Sequence, residues 1–130
     1  FYLHPNEKQV LDGYARDCAF FGMTPKETPE VDFWFGKEDL SIGDFSIQLV
    51  ETPGHTPGGT CLIIKNHAFT GDTIFAGSVG RTDLPGGNHQ TLIDSIKIKF
   101  FKLDLSRVIY SGHGQTTTLA EEKEHNPYLV

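Results

Sequence analysis

The sequence predicts a single α/β domain in which a mixed or mostly antiparallel sheet carries helices on one side. Helix-like and strand-like hydrophobic periods follow one another in the order helix, strands, helix, strand, helix. No composition shift or linker-like stretch divides the chain, so residues 1–130 suit one domain of ordinary size. No internal repeat or low-complexity tract is present.

The first predicted helix covers residues 5–22. Asn6 is its candidate N-cap, with Gln9 three residues later as in a capping box. Gly22 suits the C-terminal end. Apolar side chains recur at three- and four-residue steps and predict one apolar face, made of Val10, Leu11, Tyr14, Cys18 and Phe21.

Strand patterns dominate the middle of the chain. Apolar residues alternate from Phe45 to Leu49, which predicts a half-buried strand. Residues 60–65 and 67–70 predict a strand pair that turns at Asn66. Residues 107–110 predict one more short, buried strand.

A long loop and two helices complete the predicted elements. Residues 74–88 include four glycines and are expected to form a loop without an element of its own, and such a loop is usually functional or mobile. Thr118 opens the last helix, with Glu121 at its capping-box position. Residues 91–101 predict the preceding helix, whose inward side chains are Leu92, Ile93, Ile96 and Phe100.

Charge and composition argue against nucleic-acid and membrane partners. The chain has 17 acidic and 11 basic residues, for a net charge of −6, and nucleic-acid surfaces need clustered lysine and arginine. No apolar run approaches the roughly 20 residues of a membrane helix. Cys18 and Cys61 form no CxxC pattern, and no signal peptide is visible, which favours a cytoplasmic protein with reduced thiols.

Three residues are candidate metal ligands: His55, Asp72 and His113. Each follows a predicted strand in a glycine-flanked segment, TPGHTPGG, FTGD and SGHG respectively. Strand ends are rigid, and adjacent glycines let the backbone turn sharply near a ligand. Imidazole nitrogen and carboxylate oxygen bind zinc, iron or manganese. The alternative is that the histidines cap, and the aspartate fixes, turns of exposed loops.

The segments TPGHTPGG, FTGD, GSVGRTDLPGG, SGHG and EEKEHNPYL resemble, in this order, the metallo-β-lactamase superfamily and more narrowly its single-domain glyoxalase II-like hydrolases. The resemblance implies part of a four-layer αββα sandwich with two divalent metal ions at one edge, zinc first, with iron or manganese as alternatives. It implies that His55 binds the first metal, Asp72 bridges both, and His113 binds the second. The implied substrate is a small-molecule thioester or related ester, attacked by a metal-bound hydroxide.

The sequence departs from the family pattern at its start. The family's His-x-His-x-Asp-His segment, expected before Phe1, is absent. The chain is therefore expected to represent the C-terminal part of the domain, with two protein ligands per metal where catalytic zinc normally has three. Residues 1–130 alone are expected to be inactive. They are also expected to form a homodimer, or to pair with the missing N-terminal half, through exposed apolar strand faces such as that of Cys61 and Ile63 and that of the strand over 45–49.

Other candidate residues and functions stay open. Arg81 and Asp83 in GRTDLPGG form either an internal salt bridge that orders the loop beside the site or a substrate contact. His4 is expected to be structural and Cys61 a buried, inert thiol. The alternative enzyme is a persulfide dioxygenase with one iron, whose branch shares GHTPG and GRTD but usually lacks SGHG. A non-catalytic scaffold that retains half of the metal site is the third possibility.

Overall fold

The computed structural model describes all 130 residues, and short strands make up most of its elements. The strands are β1 (Tyr2–Leu3), β2 (Phe33–Trp34), β3 (Leu40–Ile42), β4 (Phe45–Glu51), β5 (Thr60–Ile64), β6 (His67–Gly71), β7 (Ile74–Phe75), β8 (Ser78–Val79), β9 (Val108–Ser111) and β10 (Thr117–Thr118). The helices are α1 (Lys8–Asp12), α2 (Tyr14–Phe20), α3 (His89–Asp94) and α4 (Leu119–His125). Helix α3 continues through a π-helical turn, Ser95–Lys99, and a 3-10 turn, Phe100–Lys102.

Six strands form the main sheet, in the order β10-β9-β6-β5-β4-β3. Neighbours are antiparallel except β6 and β9, which are parallel, so the predicted mixed sheet is confirmed. Strands β4, β6 and β9 run in the same direction, because β5 is antiparallel to both β4 and β6. Their carboxyl ends therefore lie at one edge of the sheet.

The hydrophobic core lies between one face of this sheet and the helices. The inward residues predicted for the helix over 91–101 are confirmed, since all four are buried in one cluster. That cluster also contains Cys61 and Ile63 of β5. The expectation that the strand face of these two residues is exposed is therefore wrong, because side chains from α3 and its continuation cover it. The same expectation for the strand over 45–49 holds only for Phe45, since Ile47 and Leu49 are buried. The remaining members are Ala68, Ile74, Val79, Ile109, Leu119 and Leu129.

The opposite side of the sheet, here called the outer sheet face, has less cover. The strand register places Leu49, Leu62, Phe69 and Tyr110 side by side on it. Leu49 is buried and Leu62 half-buried, but Phe69 is 42% and Tyr110 36% exposed. The two aromatic rings stack with centroids 5.3 Å apart. An apolar strip thus reaches solvent on β6 and β9.

The predicted first helix is divided at Gly13 into α1 and α2, after a 3-10 turn over Pro5–Glu7. The prediction of Asn6 as N-cap is wrong: the cap is His4, whose Nδ1 accepts the Asn6 backbone N–H at 3.1 Å. Of the predicted apolar face only Cys18 is buried. Gly22 ends the segment with φ of 68°, as predicted, because glycine enters this left-handed conformation without penalty.

The segment over residues 74–88 also differs from prediction, because β7 and β8 form a small antiparallel hairpin within it. The hairpin pairs only two residues per strand, too few to produce an alternating pattern in the sequence.

The last helix begins as predicted, with the Thr118 hydroxyl accepting the Glu121 backbone N–H at 3.2 Å. Its capping box is only half formed, since the Glu121 carboxylate lies 3.2 Å from His125 instead.

The cysteines are free, and both are buried. The Cys61 thiol lies 3.3 Å from the Thr52 hydroxyl. Burial raises the pKa of Cys61 to about 11, so the thiol stays protonated at neutral pH. The prediction of a buried, inert thiol is confirmed. Separately, none of the helices combines the length and the apolar character that crossing a membrane requires.

Candidate metal centre

The three predicted ligands meet at one edge of the main sheet. Asp72 directly follows β6, His113 follows the end of β9, and His55 lies in the turn after β4. The Nε2 atom of His113 lies 3.4 Å, and that of His55 3.7 Å, from the same oxygen, Oδ2 of Asp72. The shared strand direction explains this convergence, since it brings three carboxyl ends to the same edge.

Glycines make room for the carboxylate of Asp72. A Cβ at Gly112 would lie 2.4 Å from Oδ1 of Asp72, and a Cβ at Gly80 would lie 1.8 Å from the Asp72 carbonyl oxygen. Contacts this short are impossible without displacing the aspartate. Gly80 and Gly112 therefore allow two other loops to approach Asp72 closely.

A backbone carbonyl orients the ring of His55. Its Nδ1 lies 2.7 Å from the carbonyl oxygen of Arg81. A carbonyl only accepts hydrogen bonds, so Nδ1 carries the hydrogen and, in the neutral ring, Nε2 carries the lone pair. This pattern is common in metal-binding histidines, where the second nitrogen donates to an outer acceptor.

The arrangement fits a divalent cation. In the neutral ring, the Nε2 lone pair of His55 and the negative oxygen of Asp72 repel each other unless a cation or proton lies between them. Two ligands at zinc distances of about 2.0–2.2 Å in tetrahedral geometry are about 3.4 Å apart. The two observed separations, 3.4 and 3.7 Å, are close to that spacing.

The ligand count for one cation is nevertheless incomplete within residues 1–130. No group of three or more histidine, cysteine, aspartate or glutamate side chains is arranged to hold one ion. The geometry supplies two pairs that share Asp72, one with His55 and one with His113. His113 is the less constrained ligand: its side chain is 77% exposed and its ring makes no hydrogen bond within the protein.

Arg81 and Asp83 form the internal ion pair that the sequence offered as one alternative. Nε of Arg81 donates to Oδ1 of Asp83, and Nη2 donates to Oδ2, both at 2.8 Å. The hydrogen bonds from the guanidinium lower the pKa of Asp83 to about 2. The pair is exposed on the loop whose Arg81 carbonyl holds His55.

Two contacts that the sequence did not reveal hold the His55 turn from the other side. Glu7 accepts the backbone N–H of Gly58. His4 is buried, and because its Nδ1 accepts from Asn6, its Nε2–H donates to Glu51 at 3.0 Å. His4 is thus structural, as predicted. These partners lie about fifty residues apart in sequence, and no local pattern indicates them.

A groove of about 460 Å³ borders His55. One wall has Val10 of α1, Phe20 of α2 and the following Phe21, and the other has Leu84 and Pro85 of the GRTDLPGG loop. The charged residues Arg16, Asp17 and Asp83 also border the groove. Small-molecule sites are commonly clefts of about 300–1,000 Å³ with mainly apolar walls. The groove is called the apolar groove below.

Comparison with known proteins identifies the family. The family model described as the metallo-beta-lactamase superfamily matches residues 2–113. The hydroxyacylglutathione hydrolase GloC of Haemophilus influenzae is 38% identical over 127 residues, which are 95% of this chain and 60% of that protein.

Two solved structures share the fold over 98% of this chain. One is the BLEG-1 B3 metallo-beta-lactamase, with a TM-score of 0.90 and 36% identity, and the other is TTHA1623 in a di-iron-bound form, with a TM-score of 0.86 and 31% identity. The chain covers 64% of each of these, so it spans less than two thirds of its relatives' length. Because the family model matches residues 2–113, this chain belongs to the metallo-β-lactamase superfamily.

Proposed function

We propose that this chain belongs to a metal-dependent, glyoxalase II-like hydrolase that cleaves a small-molecule thioester or related ester. The observation that carries the proposal is the approach of His55 and His113 to one carboxylate oxygen of Asp72. The similarity to GloC, named as a hydroxyacylglutathione hydrolase, supports the same reaction class.

The proposed roles follow from position. His55 and Asp72 would hold one cation, and Asp72 and His113 would hold the other. Bound divalent cations supply polarisation of the substrate carbonyl and a lowered pKa of water. The nitrogen and oxygen donors suit zinc, and iron is the alternative, since TTHA1623 is known in a di-iron-bound form. The apolar groove beside His55 accommodates the organic part of the substrate.

We further propose that residues 1–130 alone bind metal weakly and do not hydrolyse thioesters. Each cation receives two side chains here, whereas catalytic zinc sites use three and an open position. The His-x-His-x-Asp-His segment expected from the family resemblance would supply the missing ligands. We propose a cytoplasmic location, with which the free thiols of Cys18 and Cys61 are compatible.

Replacing the bridging residue tests this function. In a version completed with a His-x-His-x-Asp-His segment, Asp72→Ala should abolish hydrolysis of a hydroxyacyl-glutathione thioester and lower the metal content, because both cations lose a ligand. Elemental analysis and a thioester assay measure the two effects. Asp94→Ala, at an exposed position of α3, is the matched control and should retain both the activity and the metal content. An Asp72→Ala variant with full activity and a full metal complement would refute the assignment.

The second candidate is a persulfide dioxygenase of the same fold with one iron. The observation that favours it is the ring of His113, which is exposed and makes no hydrogen bond within the protein, so a second cation would be held less firmly there than one beside His55. His113→Ala in the completed version separates the two candidates. A two-metal hydrolase should lose about one metal ion per chain and most of its thioesterase activity. A dioxygenase should keep its single iron and consume oxygen with a glutathione persulfide.

A further inference from the structure

The loop over residues 80–83 presents an unusual combination of features. It belongs to no strand or helix, because it follows β8 and precedes a turn at residues 84–86. Yet its Arg81 carbonyl makes the only hydrogen bond that fixes the ring of His55. Something within the loop must therefore hold this carbonyl in place.

The Arg81–Asp83 ion pair is the element that could do so. Its two hydrogen bonds of 2.8 Å link the side chains of Arg81 and Asp83 and so close a ring with the backbone between the two residues. The Arg81 carbonyl belongs to the first of the two peptide units in that ring. Such bidentate pairing fixes direction as well as distance. On the other side, Gly80 donates its N–H to the Thr73 carbonyl at 3.2 Å, which anchors the start of the loop beside Asp72.

Global stability is a poor explanation for this pair. Both side chains are more than half exposed, and exposed ion pairs contribute little to folding stability. A bidentate pair that adds little stability, next to the carbonyl that sets a histidine tautomer, indicates a local geometric role.

We propose that Arg81 and Asp83 are positioning residues, whose ion pair holds the Arg81 carbonyl against Nδ1 of His55 and so keeps Nε2 free to face a cation at Asp72. This role concerns the proposed metal site, and the purpose of the positioning rests on that proposed function. The tautomer itself, however, can be observed without metal, so the two ideas fail separately.

Histidine tautomers distinguish this role from a merely structural one. Long-range ¹H–¹⁵N correlation spectra of the labelled 130-residue chain, recorded about two pH units above the ordinary histidine pKa, report which ring nitrogen carries the hydrogen. His55 should be the Nδ1–H tautomer. His4 should be the opposite, Nε2–H tautomer, because its Nδ1 accepts from Asn6, and it serves as an internal reference.

The variant Asp83→Asn removes the charge and one acceptor of the pair with little change in volume. His55 should then shift toward the Nε2–H tautomer that the free histidine side chain favours in water, while His4 stays unchanged and the melting temperature moves little. Asp12→Asn is the matched control, since it removes the same charge from the similarly exposed Lys8–Asp12 pair of α1, which makes no hydrogen bond with the loop. It should leave both tautomers as they are.

A charge-reversed double variant, Arg81→Asp with Asp83→Arg, should restore the Nδ1–H tautomer of His55, because it re-forms the pair. The proposal is overturned if wild-type His55 is the Nε2–H tautomer, or if Asp83→Asn leaves His55 unchanged. It is also overturned if the reversed pair fails to restore the tautomer in a folded protein. If the tautomers behave as expected but a completed version binds no metal, the positioning stands and the proposed function fails.

Discussion

At the scale of single residues, Asp72 is the most constrained part of the candidate site. Two histidines approach one of its oxygens, and Gly112 leaves no room beside the other. A Cβ at Gly80 would lie still closer, 1.8 Å, to its main-chain oxygen, so glycine is required there as well. Close packing of this kind fixes a carboxylate before any ligand binds, which lowers the entropic cost of holding a cation.

Gly112→Ala tests this packing. The new methyl group would lie 2.4 Å from Oδ1 of Asp72, so the carboxylate or the SGHG turn must move. In a version completed with the His-x-His-x-Asp-His segment, we expect metal affinity to fall by roughly 10- to 100-fold, as for other outer-shell changes. Competition with a chelator measures it. Gly36→Ala, where a Cβ meets nothing within 4 Å, is the control, and equal affinity in the two variants would contradict the prediction.

The sequence predicts the ligands better than it predicts what orients them. His55, Asp72 and His113 could be found because each combines a suitable side chain with flanking glycines after a strand pattern. The partner of His55 is a backbone carbonyl at Arg81, and every residue type has one, so no sequence signal marks it. The hydrogen bond between Gly58 and Glu7 also leaves no signal in the sequence, because nothing distinguishes Glu7 from the other acidic residues near it.

At the scale of elements, strands of four residues or more and the helix over 91–101 were predicted correctly, whereas two-residue strands and the division of the first helix were not. The buried face of α3 and its continuation has four apolar residues at helical spacing, and all four are buried. The β7–β8 hairpin has two paired residues per strand, which is below the length at which alternation is visible. The division at Gly13 was missed because a single glycine is tolerated inside a helical pattern.

Helix α4 is attached to the hairpin through a buried carboxylate that sequence analysis did not single out. Glu122 is 2% exposed, and its Oε2 accepts from the Gly77 backbone N–H at 2.9 Å and from Asn126 Nδ2 at 2.7 Å. Its Oε1 accepts from the Thr117 hydroxyl at 2.7 Å. Three donors satisfy the buried acid and tie α4, β10 and the hairpin together.

Glu122→Gln should therefore destabilise the fold by about 1–3 kcal/mol. Glutamine has nearly the same volume, but an amide nitrogen in place of Oε2 would face two donors, Gly77 N–H and Asn126 Nδ2. An amide nitrogen turned toward Thr117 instead requires the hydroxyl to accept, and in either orientation the hydrogen bonds lose the strength that the carboxylate charge gives them. Urea denaturation followed by circular dichroism measures the loss. Glu124→Gln, on the exposed side of the same helix, should change stability by less than about 0.5 kcal/mol. A Glu122→Gln variant as stable as the wild type would show that the network contributes nothing.

At the scale of the whole molecule, the sheet is asymmetric. One face is closed by α3, α4 and the cluster around them, whereas the outer sheet face exposes Phe69 and Tyr110 next to half-buried Leu62. Exposed apolar patches of this kind mark interaction surfaces in soluble proteins. We propose that a second copy of the chain covers this face when residues 1–130 are alone in solution.

Light scattering on residues 1–130 should therefore detect dimers or larger assemblies. Raising the salt concentration should increase their fraction, because the net charge of −6 makes two copies repel each other at low ionic strength. The double variant Phe69→Lys with Tyr110→Lys should be monomeric, since two charged side chains at neighbouring positions cannot be buried against a second sheet without a large desolvation cost. Phe20→Lys is the matched control: Phe20 is 80% exposed but lies on α2, away from the sheet, and this variant should associate as the wild type does. Association that survives the double variant, or that Phe20→Lys abolishes, would place the contact elsewhere on the surface.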